Sequence, residues 1–309
     1  MALCRAITAF VGRKHGLRCS KLIVVRFICP ASAVGSATVV ETYFRSERPR
    51  YLGIWTLMVT LGVPVAPFIF GFLAQRVSYR WIYVVLAITN AVQFLLYLFL
   101  GPETLYLRGR TNTPASESRT LRNRLLPRLD DKPLTLTSFI KPLKLGLYAV
   151  VTIPAVSYSM IFLWQILINV EMPAIFIMSF HLNAQEIGLQ YLAVILGALI
   201  GEFGGRFVTD HFIRGREQSA PERRLLLSHV GYALTICGMT VFLVQTMHAG
   251  HKWNITPLVG VTISAVGNQL VTTLLIPYAV DCFREQAGDV GVYITFYKGK
   301  EWRAKLRHE

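Results

Sequence analysis

The stretch Gly53–Ala74, GIWTLMVTLGVPVAPFIFGFLA, contains no Asp, Glu, Lys or Arg. In a helix rising 1.5 Å per residue it reaches about 33 Å, enough to cross the roughly 30 Å hydrocarbon core of a bilayer. It also carries Gly62, Pro64, Pro67 and Gly71, residue types that weaken a helix in water. In a membrane, neighbouring helices re-satisfy the backbone groups that proline frees, and small residues let two helix backbones approach. The stretch therefore reads as a membrane helix, with Gly62 and Ala66 as its points of close contact.

The rest of the chain agrees. Of its 309 residues, 53% are hydrophobic and 16% charged, whereas a soluble domain is charged at about a quarter of its positions. Runs long enough to span occur at Lys21–Phe44, Tyr51–Ala74, Trp81–Leu100, Leu145–Val170, Ile187–Phe207, Leu225–Met247 and Ile255–Phe283. Arg26 and Glu202 are charges lying well inside two of them. The fold class expected is an all-α membrane protein of about seven transmembrane helices. The five cysteines are scattered without a CxxC pair, which argues against a zinc site or a disulfide framework. No GxxxxGK loop, HExxH or Gly-x-Ser-x-Gly elbow is present, and the histidines have no partner spacing. These observations speak against an enzyme and against a metal, cofactor or catalytic residue.

The net charge of +15 follows topology rather than nucleic-acid binding. Basic residues gather in alternate connections: Arg45, Arg48 and Arg50; Arg108 to Lys141; and Arg206 to Arg224. The connections between hold only Arg76, Arg80 and Lys252. Lys and Arg mark the cytoplasmic side, so segments 45–50, 101–144 and 208–224 are expected there. Residues 101–144, rich in Arg, Ser, Thr and Pro without apolar periodicity, read as a linker. It divides a three-helix bundle at 21–100 from a four-helix bundle at 145–296. A basic segment at 1–20 and a polar tail at 297–309 flank the two.

Gly53, Gly62, Ala66-Pro67 and Phe70-Gly71 fall at the spacing of the fifth-helix signature of the major facilitator superfamily, in its proton-coupled drug-antiporter branch. Ala66 and Phe70 replace two of that signature's glycines. YRWIYVVLAITNAVQFLLYLFLGPETLYLR, from Tyr79, resembles the sixth helix of fungal members. LNAQEIGLQYLAVILGALIGEFGGRFVTDH, from Leu182, resembles their eighth helix and the loop after it. IPYAVDCFREQAGDVGVYITF, from Ile276, resembles the tenth helix and the approach to the eleventh. The resemblance implies helices four to ten of a twelve-helix fold, the linker joining its two halves, and a chain truncated at both ends. Gly205, Arg206 and Asp210 loosely match the family's cytoplasmic-loop motif, and Arg26 with Phe27 resembles its fourth-helix Arg-Phe pair.

Polar groups inside apolar spans must face protein or a water-filled cavity. Arg26, Asn90, Gln165, Asn169 and Asn268 are accordingly the candidates for a substrate or proton pathway, with hydrogen bonding between helices as the structural alternative. Trp164, Tyr158 and Tyr278 are candidates for stacking on a ligand or for packing. Glu202 is expected to pair with a basic loop residue at the cytoplasmic end. The resemblance implies a multi-pass plasma-membrane transporter that exports a small organic solute by alternating access, coupled to protons. Its partners are then the bilayer, the solute and protons, with no nucleic acid. A chain lacking helices from both halves is expected to be inactive. The other class that the helix count suggests is a seven-helix receptor, but neither an Asp-Arg-Tyr nor an Asn-Pro-x-x-Tyr stretch is present.

Overall fold

A computed structural model of the chain describes residues 35, 38–39, 42–43, 47–77, 79–100, 145–213, 222–248, 254–282 and 289–294. The described elements are helical: α1 (Arg48–Arg76), α2 (Tyr79–Leu100), α3 (Ala149–Phe180), α4 (Ala184–Ile213), α5 (Glu222–His248) and α6 (Thr256–Cys282). A 3-10 turn at Leu145–Leu147 leads into α3, and residues 289–294 are helical. The first expected span, Lys21–Phe44, lies almost wholly outside the described residues. Five described helices are long and apolar enough to cross a membrane, and α2 carries an apolar run over Trp81–Leu96.

Local sequence sets the helix ends. Pro49 sits in the first turn of α1, where a missing N–H costs no intrahelical bond. At the start of α4 the Glu186 carboxylate reaches back to accept from the Asn183 amide at 2.8 Å, one half of a capping box. Asn254 opens α6 in the same spirit, its side-chain oxygen accepting from the Thr256 amide at 3.2 Å. Two helices outrun their expected bounds. Helix α3 continues past Val170 through Glu171 and Pro173 to a left-handed cap at His181, φ 53°. Helix α4 runs on to Ile213, because no Gly or Pro interrupts it between Arg206 and Gly215. Residues 208–213 are thus helix and not loop, as are 222–224 at the start of α5.

Helix α6 is the hub, packed against α5, α4, α3 and α1, while α1 lies chiefly on α4, and α2 lies on α1. Glycines decide how closely these pairs approach. Added Cβ atoms at Gly197 and Gly201 of α4 would come within 2.6 and 2.7 Å of the Thr262 and Val266 carbonyl oxygens of α6. On α5, a Cβ at Gly238 would stand 2.6 Å from the Gly260 oxygen, and one at Gly231 would stand 3.0 Å from the Gly267 oxygen. Helix α1 meets α4 antiparallel at two places: Gly71 against Gly188, and Gly53 against Glu202. A Cβ added at Gly62 or at Gly204 would meet no atom within 4 Å among the described residues. The close contact expected at Gly62 is therefore made nine residues later, at Gly71, because a helical turn of 100° per residue points Gly62 away from α4.

Apolar side chains form two buried clusters. One gathers Val151, Ala155, Tyr158, Val271, Leu275 and their neighbours, and the other Ile168, Met172, Phe176, Tyr191, Phe242 and Val261 with theirs. Each of α3 and α6 contributes one stretch to each cluster. Gln165 and Asn169 on α3, with Asn268 and Gln269 on α6, fall at the changeover.

Candidate functional site: a polar cleft between four helices

At this changeover lies a small, partly open cleft. Helix α1 lines it with Thr60, Val63 and Pro64, and α3 with Phe162, Gln165, Ile166 and Asn169. Val194 and Ala198 of α4 and Ala265 and Asn268 of α6 complete the wall. Three of the pathway candidates, Gln165, Asn169 and Asn268, are thus brought together on two helices that are far apart in sequence. The spacing of Gln165 and Asn169, one helical turn, puts both on one face of α3. Pro64 has no N–H to give to the Thr60 carbonyl, and both residues line the cleft.

Each of the three amides has an unused hydrogen-bonding atom. The Ser264 hydroxyl donates to Gln165 Oε1 at 3.2 Å, leaving Gln165 Nε2 without a partner among the described residues. Asn169 Oδ1 and Asn268 Oδ1 are likewise buried and unpartnered. A buried polar atom left in this state costs about 1–3 kcal/mol, which water or a bound molecule in the cleft would offset. Among the described residues the lining holds no ionisable side chain. Its amides offer an occupant both a donor, Gln165 Nε2, and acceptors, Asn169 Oδ1 and Asn268 Oδ1.

The other candidates lie elsewhere. Asn90 is half-buried on α2 and donates to the Leu86 carbonyl of its own helix at 2.6 Å, outside the cleft lining. Arg26 lies outside the described residues. Trp164 is exposed on the outer surface, and Tyr158 and Tyr278 are buried in the packing; none of the three lines the cleft. Of the signature residues, Gly53 and Gly71 sit at the α1–α4 contacts, while Ala66 and Pro67 are partly buried. Gly205, Arg206 and Asp210 stand on the continuous helix α4.

Beyond the cleft, Glu202 is 1% exposed. Its Oε1 accepts from Arg206 Nε at 3.0 Å, and its Oε2 accepts from Gln269 Nε2 at 3.0 Å and Thr273 Oγ1 at 2.7 Å. The basic partner expected for Glu202 is a residue of its own helix, four positions on. Gln269 and Thr273 of α6 are its further partners. Their spacing of four on α6 is the only sequence signal for them.

A core of packed helices among the described residues, five of them long and apolar enough to cross a membrane, defines a multi-pass membrane protein. The chain belongs to the major facilitator superfamily, whose family model matches residues 9–299. Among its relatives, the MFS transporter fsa7 of Fusarium sp. is 23% identical over 289 residues, covering 90% of this chain and 57% of the relative. Efflux pump radE of Floropilus chiversii is 26% identical, covering 85% and 52%. Fluconazole resistance protein 1 of Saccharomyces cerevisiae is 27% identical over 203 residues, covering 59% and 36%. The chain spans about half the length of the curated relatives it matches.

Proposed function

We propose that the chain serves transmembrane transport of a small, largely apolar organic solute, held in the cleft by Gln165, Asn169 and Asn268 and passed across by alternating access. The observation that carries this reading is the gathering of three amide side chains with unpartnered polar atoms in one cleft between α1, α3, α4 and α6. Relatives named as an efflux pump and as a fluconazole resistance protein support export from the cell. Export across the plasma membrane and coupling to protons are part of the proposal. The role is that of a carrier and not of an enzyme, and the superfamily assignment favours it over a seven-helix receptor.

The test is equilibrium binding to the purified chain in lipid nanodiscs, using a panel of uncharged organic solutes that includes fluconazole. Binding is the readout because it does not require turnover. Saturable binding of at least one solute is expected. Gln165→Leu, Asn169→Leu and Asn268→Leu should each weaken it about twofold to tenfold, the worth of one hydrogen bond. Asn90→Leu should leave it unchanged. Absence of saturable binding, or binding indifferent to all three cleft substitutions, would falsify the reading.

A further inference from the structure

The cleft lies between the two places where α1 touches α4. Along α1 the order is Gly53, then the lining residues Thr60 and Pro64, then Gly71; along α4 it is Glu202, Ala198, Gly188. The two contacts differ in chemistry. At Gly71, an added Cβ would meet only backbone, the Ala184 oxygen at 2.8 Å and the Gly188 Cα at 3.0 Å. Such a close backbone approach is held by dispersion and weak Cα–H contacts. At Gly53, an added Cβ would come within 2.6 Å of Glu202 Oε1. Here α1 closes directly over a carboxylate.

We propose that Glu202 is the positioning residue that selects the end at which the cleft opens, favouring the Gly53 end. Among the described residues the three hydrogen-bond donors to its carboxylate come from α4 and α6, so none of these is lost when α1 lifts away. What changes is the solvent: water reaches Oε1, which is sealed by Gly53 in the closed seam. Hydrating a buried charge is favourable and offsets the lost packing between α1 and α4. Parting Gly71 from Gly188 exposes no charge and has no such compensation. Nearby, the buried Gln269 Oε1 has no partner among the described residues, so the closed state leaves a second group there that water would satisfy. The groups facing the carboxylate are Gly53 from α1, Gln269 and Thr273 from α6, and Arg206 from α4. Arg206 is itself 30% exposed, so the network extends from the buried carboxylate towards the surface.

The inference rests on the transport reading, but its test needs no solute, so the two can fail separately. A full-length chain with its five cysteines changed to serine and Thr60→Cys added reports access to the cleft. It is placed in sealed vesicles, and a membrane-impermeant thiol reagent is applied to either face. Glu202→Gln, which removes the charge, should slow labelling from the face bearing the start of α1 by roughly fivefold or more, with labelling from the other face kept or raised. Thr273→Val keeps the charge but removes a donor that water can replace only when the seam is open, and should speed labelling from that same face. Gly53→Ala should wedge the seam open towards that face, and Gly71→Ala should open the opposite one. A general loss of packing would move both faces together and would give the two network variants the same sign. Equal change on both faces, no change, or faster labelling from the α1-start face in Glu202→Gln overturns the proposal.

Discussion

At the scale of single residues, the strongest local commitment is the carboxylate of Glu202, closed off from water and held by Gln269, Thr273 and Arg206. A hydrogen bond to a charged group is worth about 1.5–3 kcal/mol. Thr273→Val keeps the side-chain shape and deletes one such donor, so it should lower the chain's stability by about that amount, measured as unfolding in mixed detergent micelles. Glu202 was recognisable in the sequence as a charge inside a span. The side chains that satisfy it were not, because Gln269 and Thr273 lie on another helix, about seventy residues away. The same holds for the cleft: Gln165 and Asn169 are visibly one turn apart, but their meeting with Asn268 is a product of packing. Asn90 looked equivalent in the sequence and is bonded to its own helix instead.

At the scale of helices, the α5–α6 pair shows how glycine spacing sets contact. Gly231 and Gly238 face Gly267 and Gly260, two glycines seven residues apart on each partner. Seven residues make nearly two turns, so each pair lies on one stripe. That spacing is visible in the sequence. Gly238→Leu puts a side chain where the facing atoms are backbone that cannot rotate away. It should cost about 1–3 kcal/mol or more through overpacking and be seen as loss of protease resistance in membranes. Gly62→Ala and Gly204→Ala, which add a methyl group to open space, should be neutral or gain up to about 1 kcal/mol from helix propensity. If Gly62→Ala were as damaging as Gly238→Leu, the assignment of the α1 contact to Gly71 would be wrong.

At the scale of the whole molecule, alternate basic connections predict which face is cytoplasmic. Single cysteines in a cysteine-free chain, Ser116→Cys in the basic central segment and Leu182→Cys in the turn between α3 and α4, should label from opposite faces of intact cells. Only Leu182→Cys should react with an impermeant reagent added outside. Labelling of both from one side would refute the alternation that the charges imply. The sequence alone determined that the chain is a bundle of membrane helices, where most of them run, and which superfamily they resemble. Those properties are written in uninterrupted apolar length, in charge placement and in the glycine and proline spacing of one helix. Only the tertiary structure decided which glycines touch a neighbour, which amides line the cleft and what encloses Glu202. A soluble helix shows its inner face as an apolar stripe. These helices are apolar on every side, because lipid and protein interior are alike to a hydrocarbon side chain. Inward and outward faces are therefore indistinguishable until the helices are packed.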